Sequence, residues 1–398
     1  MRFLLGVNYW PRNAAIDWWS SFSRDVVGAD FAQIRDIGFD KVRIFLRWED
    51  IQPTPHEVDP RFMRSLEAVC DVATENNLEL LVTFFTGHMS GANWVPEWLL
   101  GDRVGTSSIP TIQGEVATSF QIGDIYSDPR LLRAQRVQLR SVVSALRDNE
   151  GVWGWDLSNE PSNLQRPRSA EALRSWLRTV VPEIRAHDPD RPIVLGTHQV
   201  DLEQDTYFHP WIVAEHCDYL VAHGYPLYSD WTDGPLDPHM LPFLTKLTES
   251  LGGKSVLAEE FGVCTKPGGA TAPKRQDPHF VGEAEQADYF RLVLDNLHRI
   301  GALGAFVWCF SDYERKLWHR PPFDTNPHEL FFGITRRDAS EKPAAHVVRE
   351  FSKKKPQVRD PKSTIDVEER NYYECCSIGK LYRNFKIGKD KFYGSADP

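Results

Sequence analysis

The stretch that most constrains the fold is residues 151–161, with the sequence GVWGWDLSNEP. Its bulky apolar residues, among them Trp155 and Leu157, favour a buried β-strand. Pro161 has no N–H to donate to a neighbouring strand, so the strand has to end close to Glu160. The sequence therefore predicts a buried strand that presents an amide and a carboxylate at one rim of a sheet.

A second apolar run, residues 254–262 with the sequence KSVLAEEFG, carries two adjacent carboxylates. It lies about a hundred residues after the first run and also reads as a buried strand. Because side chains alternate along a strand, we expect Glu259 and Glu260 to point to opposite faces. Only one of them should then enter a site at the strand ends.

The two motifs together resemble a known enzyme family. Asn159 and Glu160 before a proline, after an apolar strand, are similar to the acid/base signature of glycoside hydrolase family 5 and its clan A relatives. Glu260 followed by Phe-Gly is similar to the nucleophile pattern of that family. The resemblance implies the α/β class, a (β/α)8 TIM barrel over residues 1–355, with a C-terminal extension, residues 356–398, of unknown role.

Length and composition agree with one large soluble barrel. The chain has 398 residues, and barrels with inserted loops reach that size as one domain. No apolar run approaches the ~18 residues that a membrane span needs, so we expect no membrane partner. The net charge of −10 disfavours nucleic acid as a partner.

The cysteines and the first residues bear on the compartment. The six cysteines have neither disulfide-framework nor zinc spacing, which suits thiols in a reducing cytoplasm, and we expect no metal and no cofactor. The apolar start, residues 2–8, is too short for a signal peptide and reads as the first strand. We therefore expect a cytoplasmic protein.

The rest of the chain alternates between strand and helix patterns up to residue 355. The predicted strands are 2–8, 41–48, 78–86, 191–196, 218–225 and 303–310, in addition to the two above. The predicted helices are 24–37, 59–77, 131–147, 169–187, 283–300 and a last one that ends near 355. The tail holds many aromatic residues, which predicts docking on the barrel or on another subunit, and hence a possible homo-oligomer.

Three side chains on the predicted strands are candidates to support the glutamates. Arg43 lies inside an apolar strand, where an unpaired guanidinium is costly. The resemblance places it beneath the nucleophile; the alternative is a structural ion pair with Asp156 or another barrel acid. The resemblance also implies that the Tyr225 hydroxyl bonds the nucleophile and that His223 lies close to the acid/base, although either residue alone would more often be structural.

Further residues are candidates to bind substrate. By resemblance, Asn159 hydrogen-bonds the sugar 2-hydroxyl, and Trp308 lines the subsite of the sugar to be cleaved, with core packing as its alternative. His88 resembles a histidine that the family carries near the third strand; it contacts substrate or is purely structural. The long segment 87–127 should shape the pocket, with Trp94 among its bulky residues.

The implied chemistry is hydrolysis by double displacement, in which the carboxyl groups stand ~5 to 5.5 Å apart. Glu160 has to be protonated at the start, so we expect its pKa to lie above the usual value. Glu260 has to stay ionised, and Arg43 and Tyr225 would stabilise that anion by charge and by a hydrogen bond.

The substrate is expected to be an oligosaccharide. The strings GVNYWP (6–11) and GHMSGANW (87–94) are similar to exo-β-mannosidase-like members, including those that act on β-mannosyl-1,4-N-acetylglucosamine. The chain is therefore interpreted as a retaining exo-β-mannosidase for short β-mannosides. The alternatives are an endo-β-1,4-mannanase or glucanase and, from another class, a carbohydrate-binding barrel without catalysis, which the intact carboxylates disfavour.

Overall fold

The computed structural model describes residues 1–104, 109–114, 116–118, 120–267, 280–360 and 363–393. Eight parallel strands form one sheet in the order β5-β4-β3-β2-β1-β8-β7-β6. They are β1 (Leu4–Asn8), β2 (Lys41–Arg47), β3 (Glu79–Thr86), β4 (Val152–Asn159), β5 (Ile193–Gly196), β6 (Leu220–His223), β7 (Val256–Phe261) and β8 (Gly304–Val307). Apart from β5 and β6, which stand at the two ends of this order, each strand thus neighbours the next one in the chain.

The sheet closes between β5 and β6. The backbone N–H of His223 donates to the carbonyl oxygen of Thr197 at 3.2 Å, and that of Asp218 donates to Ile193 at 2.9 Å. A parallel bridge also joins His198 to His223. These contacts complete a nearly closed barrel, which confirms the predicted (β/α)8 TIM barrel.

Helices surround the barrel and mostly begin and end as their capping residues predict. They are α1 (Arg24–Ile37), α2 (Pro60–Glu75), α3 (Pro129–Leu146), α4 (Ala170–Arg185), α5 (Pro210–Ala214), α6 (Met240–Gly252), α7 (Glu283–Ile300), α8 (Pro343–Lys353) and α9 (Ile378–Ile387). The Ser23 side chain accepts from the N–H of Val26 at the start of α1, and Gly38 ends it in the left-handed conformation. In the part of the chain that the structure describes, no helix is long and apolar enough to cross a membrane.

The sequence analysis did not predict α5, α6 or α9. Helix α6 is apolar around most of its circumference and is buried along nearly its whole length, so it lacks the one-sided pattern that marks a surface helix. The reason is that the C-terminal tail covers its outer side. Phe243 on α6 packs against Tyr382 and Phe385 of the tail, with ring centroids 5.2 and 5.5 Å apart.

The tail docks on the barrel, which was one of the two predicted possibilities. It pairs with the first residues of the chain at Arg2, and then runs towards the loop that follows β5. There the Tyr372 hydroxyl donates to the carbonyl oxygen of Leu202 at 2.8 Å. The Tyr382 hydroxyl donates to the buried carboxylate of Asp237. Residues 361–362 and 394–398 of the predicted tail lie outside the described residues.

The two ends of the barrel interior differ in chemistry. Seven apolar side chains fill the amino-terminal end: Leu4, Leu81, Val194, Val221, Leu257, Leu303 and Phe306. Gly6 makes room for this packing, because a Cβ atom there would lie 2.3 Å from the Phe306 ring. Polar and charged side chains are collected at the carboxyl-terminal end, as in other α/β barrels.

The segment after β3 forms a small rim structure rather than an irregular loop. Its strands are His88–Met89, Ala92–Trp94, Leu100–Val104, Thr111–Gln113, Val116–Thr118 and Phe120–Ile122. Four of them make one sheet and two make another. Residues 105–108, 115 and 119 of this segment lie outside the described residues. The rim structure stands at the carboxyl-terminal end, where it borders the cavity described next.

Candidate active site

A cavity of about 330 Å³ opens at the carboxyl-terminal end of the barrel. Seven of the nine predicted site residues line it: His88, Asn159, Glu160, His223, Tyr225, Glu260 and Trp308. Arg43 lies directly beneath it. Trp94 lies elsewhere, because strand pairing with Ile112 turns its side chain into the apolar core, where it is buried.

The two glutamates face each other across this cavity. One oxygen of Glu160, one oxygen of Glu260 and a ring nitrogen of His223 all lie within 4.8 Å of one another. Two carboxyl groups this close together can act on the same glycosidic bond. Glu160 sits just past β4 with a left-handed backbone (φ 43°), and its N–H donates to the Gly196 carbonyl oxygen at 2.9 Å.

Arg43 binds several carboxylates at once, so both predicted partners are present. Its Nη1 donates to Glu260 Oε1 at 2.6 Å, and its Nη2 donates to Asp156 Oδ2 at 2.7 Å. The same Nη2 also donates to Asn159 Oδ1 at 3.0 Å. The guanidinium is completely buried, and these charge-assisted bonds compensate for its loss of water. It thus holds the ends of β4 and β7 in fixed positions.

Tyr225 completes the surroundings of Glu260. Its hydroxyl donates to Glu260 Oε2 at 2.7 Å, so each oxygen of this carboxylate receives one strong hydrogen bond. Burial raises the pKa of Glu260 above its usual range, although His223, Arg43 and Tyr225 act in the opposite direction. The predicted contact of Tyr225 is present in the geometry.

Glu160 has different neighbours. His223 Nδ1 lies 3.1 Å from Oε1, and the Asn163 amide donates to Oε2 at 2.9 Å. His198 and His88 approach Oε2 to 3.7 and 3.8 Å. Burial alone raises the pKa of Glu160, but the three histidines outweigh burial and hold that pKa below its usual range.

The order of the two pKa shifts is therefore the reverse of what the sequence predicted. A raised pKa was expected for Glu160, but the three histidines lower that pKa in the free site. The sequence analysis had placed only His223 close to this carboxylate. Burial alone lowers the pKa of His223, but Glu260, Glu160 and Glu259 outweigh burial and raise that pKa to about 10. His223 Nδ1 lies 3.1 Å from Glu160 Oε1, so the group with the raised pKa is in direct contact with the carboxylate whose pKa is lowered.

The expectation about Glu259 was also wrong in part. Pairing between β6 and β7 runs from Ala222 with Ala258 directly to His223 with Glu260, so β7 contains an extra residue at this point. Such a bulge breaks the alternation of side chains. The carboxylates of Glu259 and Glu260 consequently both reach Arg43, although only Glu260 lines the cavity.

Asn159 and His88 are held together on the opposite wall. The Asn159 amide donates to the His88 carbonyl oxygen at 3.1 Å. The His88 ring lies 2.8 Å from the Asn93 amide oxygen through Nδ1 and 3.3 Å from the Asn163 amide nitrogen through Nε2. Burial lowers the pKa of His88, although Glu160 and the Asn93 amide act in the opposite direction. Both side chains can offer fixed polar groups to a ligand.

A sequence model of the cellulase family, glycosyl hydrolase family 5, matches residues 11–310, which include both glutamates. The match covers about three quarters of the chain. The chain belongs to glycosyl hydrolase family 5. This membership confirms the family that the two strand-end motifs predicted.

Curated relatives of this family 5 chain include fungal enzymes. It is 22% identical over 242 residues to mannan endo-1,4-β-mannosidase F of Aspergillus clavatus, which covers 57% of this chain and 50% of that protein. A probable mannan endo-1,4-β-mannosidase F of Neosartorya fischeri is 26% identical over 215 residues. The chain spans about half the length of these curated relatives.

Solved structures cover more of the family 5 chain. The exo-β-1,4-mannosidase of Opitutaceae bacterium strain TAV5 is 25% identical, with a TM-score of 0.72 over 89% of this chain and 60% of that one. A GH5_18 protein from Streptomyces cattleya in complex with Manβ1-4GlcNAc is 21% identical, with a TM-score of 0.79 over 98% of this chain and 92% of that one. At that identity, the second likeness supports the fold.

Several cavity residues were missed by sequence reasoning about this family 5 site. His198 stands two residues after the end of β5, so its position after a predicted strand was a usable signal; its ring nitrogen lies 2.9 Å from the Ser162 hydroxyl. Tyr228 and Glu329 come from loops without a recognisable pattern. The Tyr228 hydroxyl donates to Glu329 at 3.1 Å, and the two side chains form the wall beyond Tyr225.

The cluster of Glu160, His223 and Glu260 also has the spacing of a metal site. We do not identify these residues as metal ligands, because Arg43, Tyr225 and Asn163 already bind the glutamate oxygens. Their contacts with one another and with the arginine account for the arrangement without an ion.

Proposed function

We propose that the chain is a retaining O-glycoside hydrolase that removes mannose from the non-reducing end of short β-mannosides such as β-mannosyl-1,4-N-acetylglucosamine. The observation that carries the hydrolase proposal is the pair of carboxylates with oxygens within 4.8 Å at the strand ends of a family 5 barrel. A non-catalytic sugar-binding barrel would not need Arg43 and Tyr225 to bind both oxygens of one carboxylate.

In this proposal Glu260 is the nucleophile. One of its oxygens attacks the anomeric carbon while the bond from that carbon to the leaving oxygen breaks, which gives a glycosyl ester on Glu260. Arg43 and Tyr225 hold the attacking carboxylate in position and stabilise its charge before the attack. Glu160 supplies a proton to the leaving oxygen on the other side of the cleaved bond.

The second step reverses these roles. Water attacks the anomeric carbon of the ester, Glu160 accepts a proton from that water, and Glu260 leaves as a carboxylate. Asn159 is proposed to hydrogen-bond the 2-hydroxyl, because its side chain lines the cavity and is fixed by Arg43 and by the His88 carbonyl. Trp308 is proposed as the platform for the sugar to be cleaved, since it lines the cavity.

Two observations support exo action on a mannoside. The solved relatives include an exo-β-1,4-mannosidase and a GH5_18 protein in complex with Manβ1-4GlcNAc. The cavity of about 330 Å³ is at the small end of ligand pockets, and the rim segment borders it through His88 to Gly91. A short pocket bounded in this way suits one terminal sugar and a small leaving group.

The endo-β-1,4-mannanase alternative keeps a specific observation in its favour. The curated relatives from Aspergillus clavatus and Neosartorya fischeri carry that name. The deciding experiment incubates the protein with Manβ1-4GlcNAc, β-1,4-mannopentaose and mannan. Exo action gives mannose and N-acetylglucosamine from the disaccharide and mannose and mannotetraose from the first cut of mannopentaose, and it leaves the viscosity of mannan unchanged. A rapid fall in viscosity with mixed oligosaccharides supports the endo alternative.

We further propose that the protein works in the cytoplasm and that residues 1–355 form its catalytic unit. All six cysteines are free thiols, and Cys70, Cys217, Cys264 and Cys309 are buried. Free thiols in this number suit a reducing compartment. Titration of the denatured protein, isolated without reductant, should give six thiols per chain, and fewer thiols would speak against this location.

A further inference from the structure

Glu259 has no task in the double displacement, yet it is buried completely beside the reacting groups. Its Oε2 lies 2.9 Å from His223 Nε2 and 3.2 Å from Arg43 Nη2. Gly196 leaves the space for this arrangement, because a Cβ atom there would lie 2.9 Å from Arg43 and 3.2 Å from Glu259. An ionisable group is costly to bury, so its contact with His223 calls for an explanation.

The ring of His223 lies between two carboxylates. Its Nε2 faces Glu259, and its Nδ1 faces Glu160 at 3.1 Å. When both carboxylates are ionised they only accept hydrogen bonds, so both ring nitrogens have to be donors, and the ring is then an imidazolium. Glu260 approaches Nδ1 to 3.7 Å, and the positive charge of the Arg43 guanidinium disfavours the ring proton.

We propose that Glu259 is a positioning residue that keeps His223 doubly protonated, so that His223 can recharge Glu160 with the proton for the leaving group. This inference rests on the proposed hydrolase function. The raised pKa of His223 agrees with it, since Glu259 is among the groups that raise that pKa. The same ion pair explains why an acid with a lowered pKa can still act as a proton donor.

The proton balance of the first step is complete within these residues. The leaving oxygen takes a proton from Glu160, and Glu160 takes one from His223 Nδ1. His223 is left neutral, with its remaining proton on Nε2 towards Glu259. In the second step, the proton from the attacking water passes through Glu160 back to His223, while the ester bond to Glu260 breaks. The resting charges are then restored.

The variant Glu259→Gln tests the proposal, because it keeps the shape of the side chain and removes its charge. The measurement is the pH dependence of kcat/KM with Manβ1-4GlcNAc and with 2,4-dinitrophenyl β-mannoside. With the disaccharide, we expect the alkaline limb to move to lower pH by about one to three units, the usual effect of a neighbouring opposite charge. Below that limb the variant should keep most of its turnover.

The dinitrophenyl substrate separates proton supply from general damage. Dinitrophenolate leaves without a proton, so its kcat/KM should show no such shift in Glu259→Gln. The matched control is Asp188→Asn, which also removes one buried carboxylate charge. The Asp188 carboxylate accepts a hydrogen bond from the Trp155 indole and does not contact His223. It should leave the alkaline limb in place. An unmoved limb in Glu259→Gln, or equal shifts for both substrates, would overturn the proposal.

A measurement without catalysis keeps the two proposals apart. In protein labelled with 15N-histidine, the His223 signals, identified by their loss in His223→Gln, should show two protonated ring nitrogens at pH 8. The Glu259→Gln variant should lose the second ring proton at a pH about one to three units lower than the unaltered protein. A neutral His223 in the unaltered protein overturns the role of Glu259. If His223 is an imidazolium but no β-mannoside is cleaved, the function of the site is wrong and the ion pair stands.

Discussion

On the Glu160 side of the cavity, histidine rings and the Asn163 amide surround the carboxylate, whereas on the Glu260 side the partners are a guanidinium and a phenol. Histidine gains and loses protons near neutral pH, whereas arginine keeps its charge at any pH that a protein survives. The Glu160 side is therefore built to move a proton, and the Glu260 side is built to hold a negative charge. The two carboxylates differ in their surroundings more than in their own chemistry.

The largest effects should follow from removing either carboxylate. Glu260→Gln should lower kcat by about 10⁴-fold or more for every substrate, because no ester can form. Glu160→Gln should lower kcat/KM by about 10² to 10⁴-fold for substrates with poor leaving groups. Steady-state kinetics with Manβ1-4GlcNAc and an aryl β-mannoside measure both. Equal losses on all substrates would mean that the two sides do not differ as described.

Azide rescue sharpens the same comparison. In Glu160→Ala, sodium azide should restore turnover of 2,4-dinitrophenyl β-mannoside, because its first step needs no acid and azide replaces the activated water in the second. The product should be β-mannosyl azide, identified by NMR. The matched Glu260→Ala variant should give either no rescue or an azide of the opposite configuration. A β-azide from Glu260→Ala would exchange the two roles.

A smaller effect is expected from Tyr225→Phe, which removes one hydrogen bond from Glu260. That bond lowers the pKa of Glu260, so its loss should raise this pKa and move the acidic limb of kcat/KM to higher pH. The value at the optimum should fall about tenfold, the cost of one hydrogen bond to a charged group. In the control Tyr228→Phe, which loses a bond to Glu329 instead, the acidic limb should stay in place.

The smallest effect on activity should come from the tail. Tyr382→Phe removes the hydroxyl that donates to the buried Asp237, so the free energy of unfolding should fall by about 1.5–3 kcal/mol. Tyr372→Phe removes a bond to a neutral carbonyl and should cost about 0.5–1.5 kcal/mol. Urea unfolding measures both changes. A large loss of kcat without a loss of stability would show that the tail takes part in the chemistry.

The strand-end residues were predictable because a strand in a barrel leaves few choices. Once β4 and β7 were recognised as buried strands, Glu160 and Glu260 had to lie at the same rim, and Arg43 inside β2 had to find an acid. The bulge at Glu259 was not predictable, because nothing in the run LAEEF marks the extra residue.

Features that depend on distant parts of the chain escaped the sequence reasoning. Helix α6 has no polar face because the tail covers it, and the apolar pattern of a doubly covered helix gives no period. Trp94 was expected near the substrate, but the pairing of its strand with Thr111–Gln113 turns it into the core. The lowered pKa of Glu160 follows from histidines on three different strand ends, which meet only in the folded barrel.

The most direct test of the account is to trap the covalent intermediate. In 2-deoxy-2-fluoro-β-mannosyl fluoride, the fluorine at C2 slows both steps, but the anomeric fluoride is a good leaving group. The ester should therefore accumulate on the unaltered protein. Peptide mapping by mass spectrometry should then place one sugar on Glu260, and none on Glu259 or Glu160. A sugar on another carboxylate, or inactivation without any ester, would contradict the assignment of Glu260 as the nucleophile.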